Sequence, residues 1–225
     1  NEEVGALQPV IVNADGSRFY GFDVGLGGLG KPITKPRGYP FSEAFYAIGA
    51  ALMTPSNLFF RAGMFDERLF IYHDDLDYCW RLRLAGYKAG ALTTTWAYHY
   101  GSATFGKMSP KLFYYLTRNK IWVVFKNSNL LWALLRLSVL FPEAFIAFVG
   151  HYLIVERDPR ILKSSLKGLF DGLRGMKMVS SQRMRVRSFR RIREADLVKT
   201  LNPRIDIDAT YIIPIRRILN LIAED

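Results

Sequence analysis

The sequence predicts a mixed α/β domain over residues 1–129 followed by α-helical segments, and three observations carry that prediction. Up to about Asn129, short apolar runs alternate with Gly and Pro punctuation, as strands and helices packed in layers do. Within that stretch, Leu76, Cys79, Trp80, Arg83 and Leu84 recur at helical spacing, and Gly86 follows where a C-terminal cap belongs. Beyond it, residues 130–155 are mostly apolar, and the chain from Arg157 onward is basic and amphipathic.

The elements follow in order. Residues 7–12 read as a strand and residues 13–16 (Asn, Ala, Asp, Gly) as a turn. Residues 21–40 are rich in Gly and Pro and read as a surface loop. Residues 47–53 read as a short buried strand, with Gly49 marking close approach of a backbone or ligand. Residues 57–62 form a short helix ended by Gly63, and residues 75–85 a helix with Asp74 and Asp75 at its N-terminus, where backbone N–H groups favour negative charge. Asp77 and Arg81 are four apart and pair on one face. A strand over 89–98 ends at His99.

Pro142 is expected to kink or break a helix in the apolar stretch 130–155. Each flanking piece is shorter than the roughly 20 apolar residues that cross a bilayer, so an interfacial or re-entrant helix pair is expected over 130–155, with one kinked span as the alternative, and membrane-associated helices over 130–177 as a whole. Lys163, Lys167 and Arg174 lie among Ile161, Leu166, Phe170 and Leu173 at helical spacing, which suits a membrane surface. Residues 178–225 form a basic tail with a short helix over 215–222.

Composition narrows the function classes. Half of the 225 residues are hydrophobic and 14% aromatic, which excludes global disorder. A single cysteine, Cys79, excludes an intramolecular disulfide framework and a multi-cysteine zinc site. A net charge of +11 points to an anionic partner, and no acid occurs from Arg174 to Arg193. No helix-turn-helix, zinc finger or stacking platform accompanies those basic residues, so a membrane-facing or solvated helix is expected there, and no nucleic-acid partner. The start carries no secretory signal, and an apolar run follows almost at once, as expected of a piece of a longer protein or a processed product.

Three carboxylates within four positions, Asp74, Asp75 and Asp77, suit a general base, a divalent-metal site or both. The competing reading is a helix cap with a neighbouring salt bridge. His99, one of three histidines, is a structural hydrogen-bonder or, just past a strand end, a metal ligand. Arg118-Asn119 is a surface pair on a helix or a guanidinium placed for phosphate.

Read in order, Gly49 to Met53, Gly63-Met64-Phe65-Asp66-Glu67, Asp74-Asp75-Leu76-Asp77 with Arg81 and Ala85-Gly86-Tyr87, His99-Tyr100-Gly101-Ser102, and Arg118-Asn119 resemble family 2 glycosyltransferases of the rhamnosyltransferase and galactofuranosyltransferase type. Those enzymes read G-G-F-D-E, then E-D-x-D-x-x-x-R-x-x-x-A-G-Y, then a strand and H-x-x-S. The likeness covers roughly residues 4–127. It departs at Asp74, where the family has Glu, and at Met64, where it has a second Gly.

The resemblance implies the C-terminal, acceptor-side half of a GT-A-like mixed sheet, followed by membrane-associated helices. It implies an inverting transfer from a nucleotide-sugar donor to a glycan or polyprenyl-linked acceptor of cell-envelope polysaccharide type, with Asp75 as base beside Asp74 and Asp77. It also implies Mg2+ or Mn2+ with His99 as ligand; Gly49, Trp80, Arg81, Arg118 and Asn119 at the substrates; and a place on the cytoplasmic face of a membrane. The family's nucleotide-binding units and D-x-D metal motif would precede Asn1, so the donor half is expected outside these residues. The alternative is a non-catalytic membrane-bound scaffold or partner subunit.

Overall fold

Val4–Asn13 alternates buried and less buried residues and forms strand β1. In the computed structural model, which describes residues 3–25, 30–100, 109–150 and 158–199, this strand lies inside a four-stranded sheet. The turn after it closes on Asp15, whose Oδ1 accepts the Ser17 N–H at 2.9 Å, and leads into the two-residue strand β2, Arg18–Phe19. β2 pairs antiparallel with β1, β6 (Lys88–His99) pairs parallel with it, and β5 (Phe41–Ala44) pairs antiparallel with β6. The mixed sheet therefore runs β2-β1-β6-β5.

The β1–β6 register slips where Pro9 stands: Pro9 faces Leu92, but Val10 faces Trp96. Proline has no N–H for the ladder, so the irregularity falls where a bond is missing anyway. Thr93, inside the slipped segment, donates its N–H to Pro40 O instead, at 2.8 Å.

Two sequence expectations change here. The Gly- and Pro-rich stretch 21–40 is not wholly loop: it holds a hairpin of β3 (Phe22–Val24) and β4 (Gly30–Pro32), bridged to the main body by Phe22 and Tyr46. The buried strand read over 47–53 lies earlier, as β5. Gly49–Ala51 is instead a 3-10 turn with Gly49 exposed, and Met53 makes only an isolated bridge to Leu7.

Helix α1, Ser56–Arg61, ends at Gly63 with φ +86. Helix α2, Asp74–Leu84, ends at Gly86 with φ +93, as its sequence pattern predicts. Helix α3, Pro110–Asn127, starts at a Ser109 cap whose Oγ accepts the Leu112 N–H at 3.2 Å. Helix α4, Leu130–Gly150, continues through Pro142 as one helix of 21 residues, so the expected break and helix pair are absent. Helix α5 is unbroken from Pro159 to Phe189, across the expected boundary at residue 177, and α6 spans Glu194–Lys199.

The helices share one apolar core with the α/β part. Trp80, Leu82 and Ala89 belong to the same buried cluster as Ile121, Val124, Leu140, Val179 and Leu197. Among the described residues no helix is long and apolar enough to cross a membrane. The tail helix expected at 215–222 and the Ser102 position lie outside the described residues.

α3 and α5 approach closely along a glycine stripe. A Cβ on Gly168 would lie 2.5 Å from Tyr114 O, and one on Gly172 2.7 Å from Ile121 Cδ1. Trp122 Nε1 donates to Gly172 O at 2.9 Å across the same seam. Because a backbone oxygen cannot step aside cheaply, Gly168→Val is expected to cost about 1–3 kcal/mol through overpacking, read as a lower urea midpoint.

Candidate active site at the start of helix α2

The segment leading into α2 is backbone strained by its own residues. Phe70, Tyr72 and His73 have φ of 64°, 65° and 65°, a left-handed region that costs a non-glycine residue roughly 1–2 kcal/mol each. One turn of α3 holds it there. The Asn119 Nδ2 group donates to the carbonyls of Leu69, Ile71 and Tyr72 at 2.9, 2.7 and 2.9 Å. Arg118 donates to Arg68 O and Leu69 O at 2.9 and 3.1 Å, and to Asn119 Oδ1. Its guanidinium also lies 4.3 Å from the Trp122 ring centroid and 4.8 Å from that of Tyr115. In this structure Arg118 and Asn119 therefore shape the loop in front of α2; they are engaged with backbone and rings where the sequence placed them at a substrate.

His73 ends the strained segment and takes the N-cap position without a side-chain cap bond. Its Nδ1 is buried with no hydrogen-bond partner among the described residues. Burial, and then the nearby Lys120 charge, hold its pKa well below the ordinary histidine value, so the imidazole is neutral near pH 7.

Asp75 sits in the first turn of α2, half-buried. Its Oδ2 accepts the Gly49 N–H at 2.8 Å and its Oδ1 the Leu76 N–H at 2.7 Å. A carboxylate has about four lone-pair sites, so two fixed bonds orient it and leave acceptor capacity toward a ligand. Burial pushes its pKa up, the Gly49 N–H pulls it back, and the Asp74 charge pushes it up again, to about 6. Asp74 is raised as well, chiefly by burial. Gly49, expected as a substrate contact, is exposed and stands against Asp75; its N–H fixes the carboxylate.

Asp77 belongs elsewhere. At 100° per residue it points roughly 200° around α2 from Asp75. It is 0% exposed, with Arg81 Nη2 at 3.0 Å, Lys126 Nζ at 2.8 Å and Asn127 Nδ2 at 2.8 Å. Burial pushes its pKa up, but the Lys126 and Arg81 charges outweigh that and leave it below the ordinary carboxylate range. Lys126 also reaches Asp66 at 2.8 Å, and Arg81 donates to Ala62 O and to Met64 O. Asp77 and Arg81 thus tie α2 to α3 and to the 62–66 turn, which corrects the reading of both as site residues. Trp80 is corrected too: it is fully buried, edge-on to Phe45 at 5.5 Å with Arg136 stacked 5.0 Å from its ring.

No hydrogen bond or ion pair among the described residues joins His99 to Asp74 or Asp75. His99 pairs with Asn13 at the end of β6. Gly49 follows Ile48, whose N–H is fixed to Gln8 Oε1 at 2.7 Å. Gln8 and Asn13 are five steps apart on β1, about 16 Å at ~3.3 Å per residue. No three of the His, Cys, Asp and Glu side chains among the described residues are grouped to hold a metal ion. The expected Mg2+ or Mn2+ site is therefore not formed by these residues alone. Cys79 is a core thiol pushed up to about 12 by burial.

The sequence reading missed two features. Trp96 and Tyr98 near the end of β6 and Tyr100 just past it lie at every second position and are exposed, at 66, 72 and 75%. Period-two alternation past the β-bulge was the available signal. Met64, where the resembling family has glycine, adopts φ 59°. Met64→Gly is expected to hold or raise stability by up to about 1 kcal/mol, since the strain relieved offsets the added chain entropy; a lower thermal midpoint would contradict the assigned backbone.

No protein-family model matches the chain, and no curated protein matches it. Among solved structures, it is similar to a crystal structure of GalNAc-T7 with UDP, GalNAc and Mn2+, at 14% identity and a TM-score of 0.38. That likeness covers 80% of this chain and 35% of the other, so the chain spans about a third of its length.

Proposed function

We propose that this chain provides the acceptor-side part of an inverting glycosyltransferase site in which Asp75 is the general base. One observation carries the reading: a half-buried carboxylate with a pKa of about 6, fixed by the Gly49 N–H on a strained segment at a helix start. A base in that range is ionised at neutral pH and still basic enough to accept a proton as an O–H bond breaks. Backbone strain of this kind collects at functional sites.

In the reaction, the acceptor hydroxyl gives its proton to Asp75 as its oxygen attacks the anomeric carbon from the face opposite the leaving group. The C–O bond to the nucleotide diphosphate breaks, and the electron pair leaves with the diphosphate. The exposed Trp96 and Tyr98 rings suit stacking against an acceptor sugar. Leu166, Phe170 and Leu173, exposed on α5 beside Lys163, Lys167 and Arg174, suit an anionic membrane surface on the cytoplasmic side, where a polyprenyl-linked acceptor would be presented.

The test is sugar transfer from nucleotide-sugar donors by the protein joined to its donor-binding half, with Asp75→Asn beside the unaltered chain. Near-normal turnover in a folded Asp75→Asn protein would remove Asp75 as the base.

A further inference from the structure

A second concave site lies on the other side of α2. The turn 61–68 and the C-terminal part of α5 enclose a cleft of about 350 Å³. Its floor is the neutralised network described above, Arg81 with Asp77 and Lys126 with Asp66. Its rim is different. Arg61, Arg68 and Arg185 line the cleft, and none of their guanidinium groups makes an ion pair or hydrogen bond among the described residues. Glu67 is the one carboxylate of the lining outside those ion pairs, so the free charge is cationic.

The surroundings do not compensate that charge. Arg183, two residues before Arg185 on α5, is buried with both terminal nitrogens unpartnered among the described residues, its guanidinium 4.5 Å from the Phe125 ring centroid. Glu194 already serves both Arg136 and Arg190. Gln182 lines the cleft, and its buried Oε1 has no partner among the described residues. Phe65, Val186 and Phe189 add an apolar wall. Forked donors converging on a cavity beside an apolar wall match a phosphate ester: oxygens toward the arginines, the organic group against the rings.

We propose that this cleft binds a phosphate or diphosphate group through Arg61, Arg68 and Arg185. The site does not depend on Asp75 or on sugar transfer. It faces away from Asp75 around α2, and Arg81, which faces it, is held by Asp77.

Calorimetric titration of the chain with inorganic diphosphate at low ionic strength tests it. The R68Q/R185Q double variant is expected to bind at least about tenfold more weakly, the loss of charge-assisted bonds worth over about 1.4 kcal/mol. R18Q, on β2 and outside the cleft, is expected to bind as the unaltered chain does. Both altered arginines are exposed, so circular dichroism should show the same fold. Vesicles separate the sources of the group. Preference for phosphatidylcholine vesicles containing phosphatidic acid over those with equal charge from phosphatidylserine, lost in R68Q/R185Q, assigns a lipid headgroup. Diphosphate binding without that preference assigns a free phosphate ester. Diphosphate affinity equal in the double variant and the unaltered chain, or binding of neither probe, overturns the proposal.

Discussion

Asp75→Asn is expected to lower sugar transfer by about 10²- to 10⁴-fold, the range a positioned general base contributes. The carboxamide keeps an oxygen for the Gly49 N–H, which Asp75 accepts at 2.8 Å, so the loss should fall on turnover more than on acceptor KM. In the unaltered protein kcat/KM should rise with pH through about 6, the value to which burial raises this carboxyl, and the Asn variant should lack that limb. Stability moves the opposite way. The folded pKa lies above the unfolded value of about 3.9, so Asp75 favours the fold most below pH ~4, and that contribution is lost as pH rises through about 6. The Asn variant gives up the Leu76 N–H bond but carries no titrating carboxyl, so its urea midpoint should fall less between pH ~4 and pH ~8 than that of the unaltered chain. An Asn variant that loses activity only in step with its folded fraction would make Asp75 a structural residue.

How much of this was legible in the sequence follows from which residues carry local information. Helix α2 was legible because Leu76, Cys79, Trp80 and Leu84 recur at its period and Gly86 supplies the left-handed cap. The strand β6 and the Asp77–Arg81 pair were legible for similarly local reasons. Residues 47–53 misled because a short apolar run fits strand and irregular structure alike, and only the tertiary contact from Gly49 to Asp75 distinguishes them. Pro142 misled because the rule that proline breaks helices is local, whereas α4 is held along its inner side by buried Ala133, Leu137 and Leu140. The roles of Arg118 and Asn119 were out of reach: their partners are carbonyls 47–50 positions earlier in the chain, and a backbone acceptor leaves no mark on the side-chain sequence. The free arginines of the second cleft were hidden for the same reason, since Arg61, Arg68 and Arg185 meet only after α5 folds back.

The sharpest separation between neighbouring acids is expected from Asp77→Ala. That substitution leaves Arg81 and Lys126 buried with one carboxylate of their network gone, and breaking such a buried pair costs about 3–5 kcal/mol. It should appear as a large drop in the urea midpoint at pH 7, with any fall in activity tracking the folded fraction. Asp77→Asn should cost less, because the single carboxamide oxygen can still accept from Asn127 or from Arg81, though not from both, while the charge is lost. The pH dependence has the sign opposite to that of Asp75. Asp77 is held below its ordinary value by Lys126 and Arg81 against the cost of burial, so its contribution is complete above pH ~4 and is lost as pH falls through the depressed folded value. Acid unfolding of the unaltered chain should therefore be steeper than that of Asp77→Asn. A midpoint shift worth less than about 1 kcal/mol for Asp77→Ala would mean that solvent reaches the ion network.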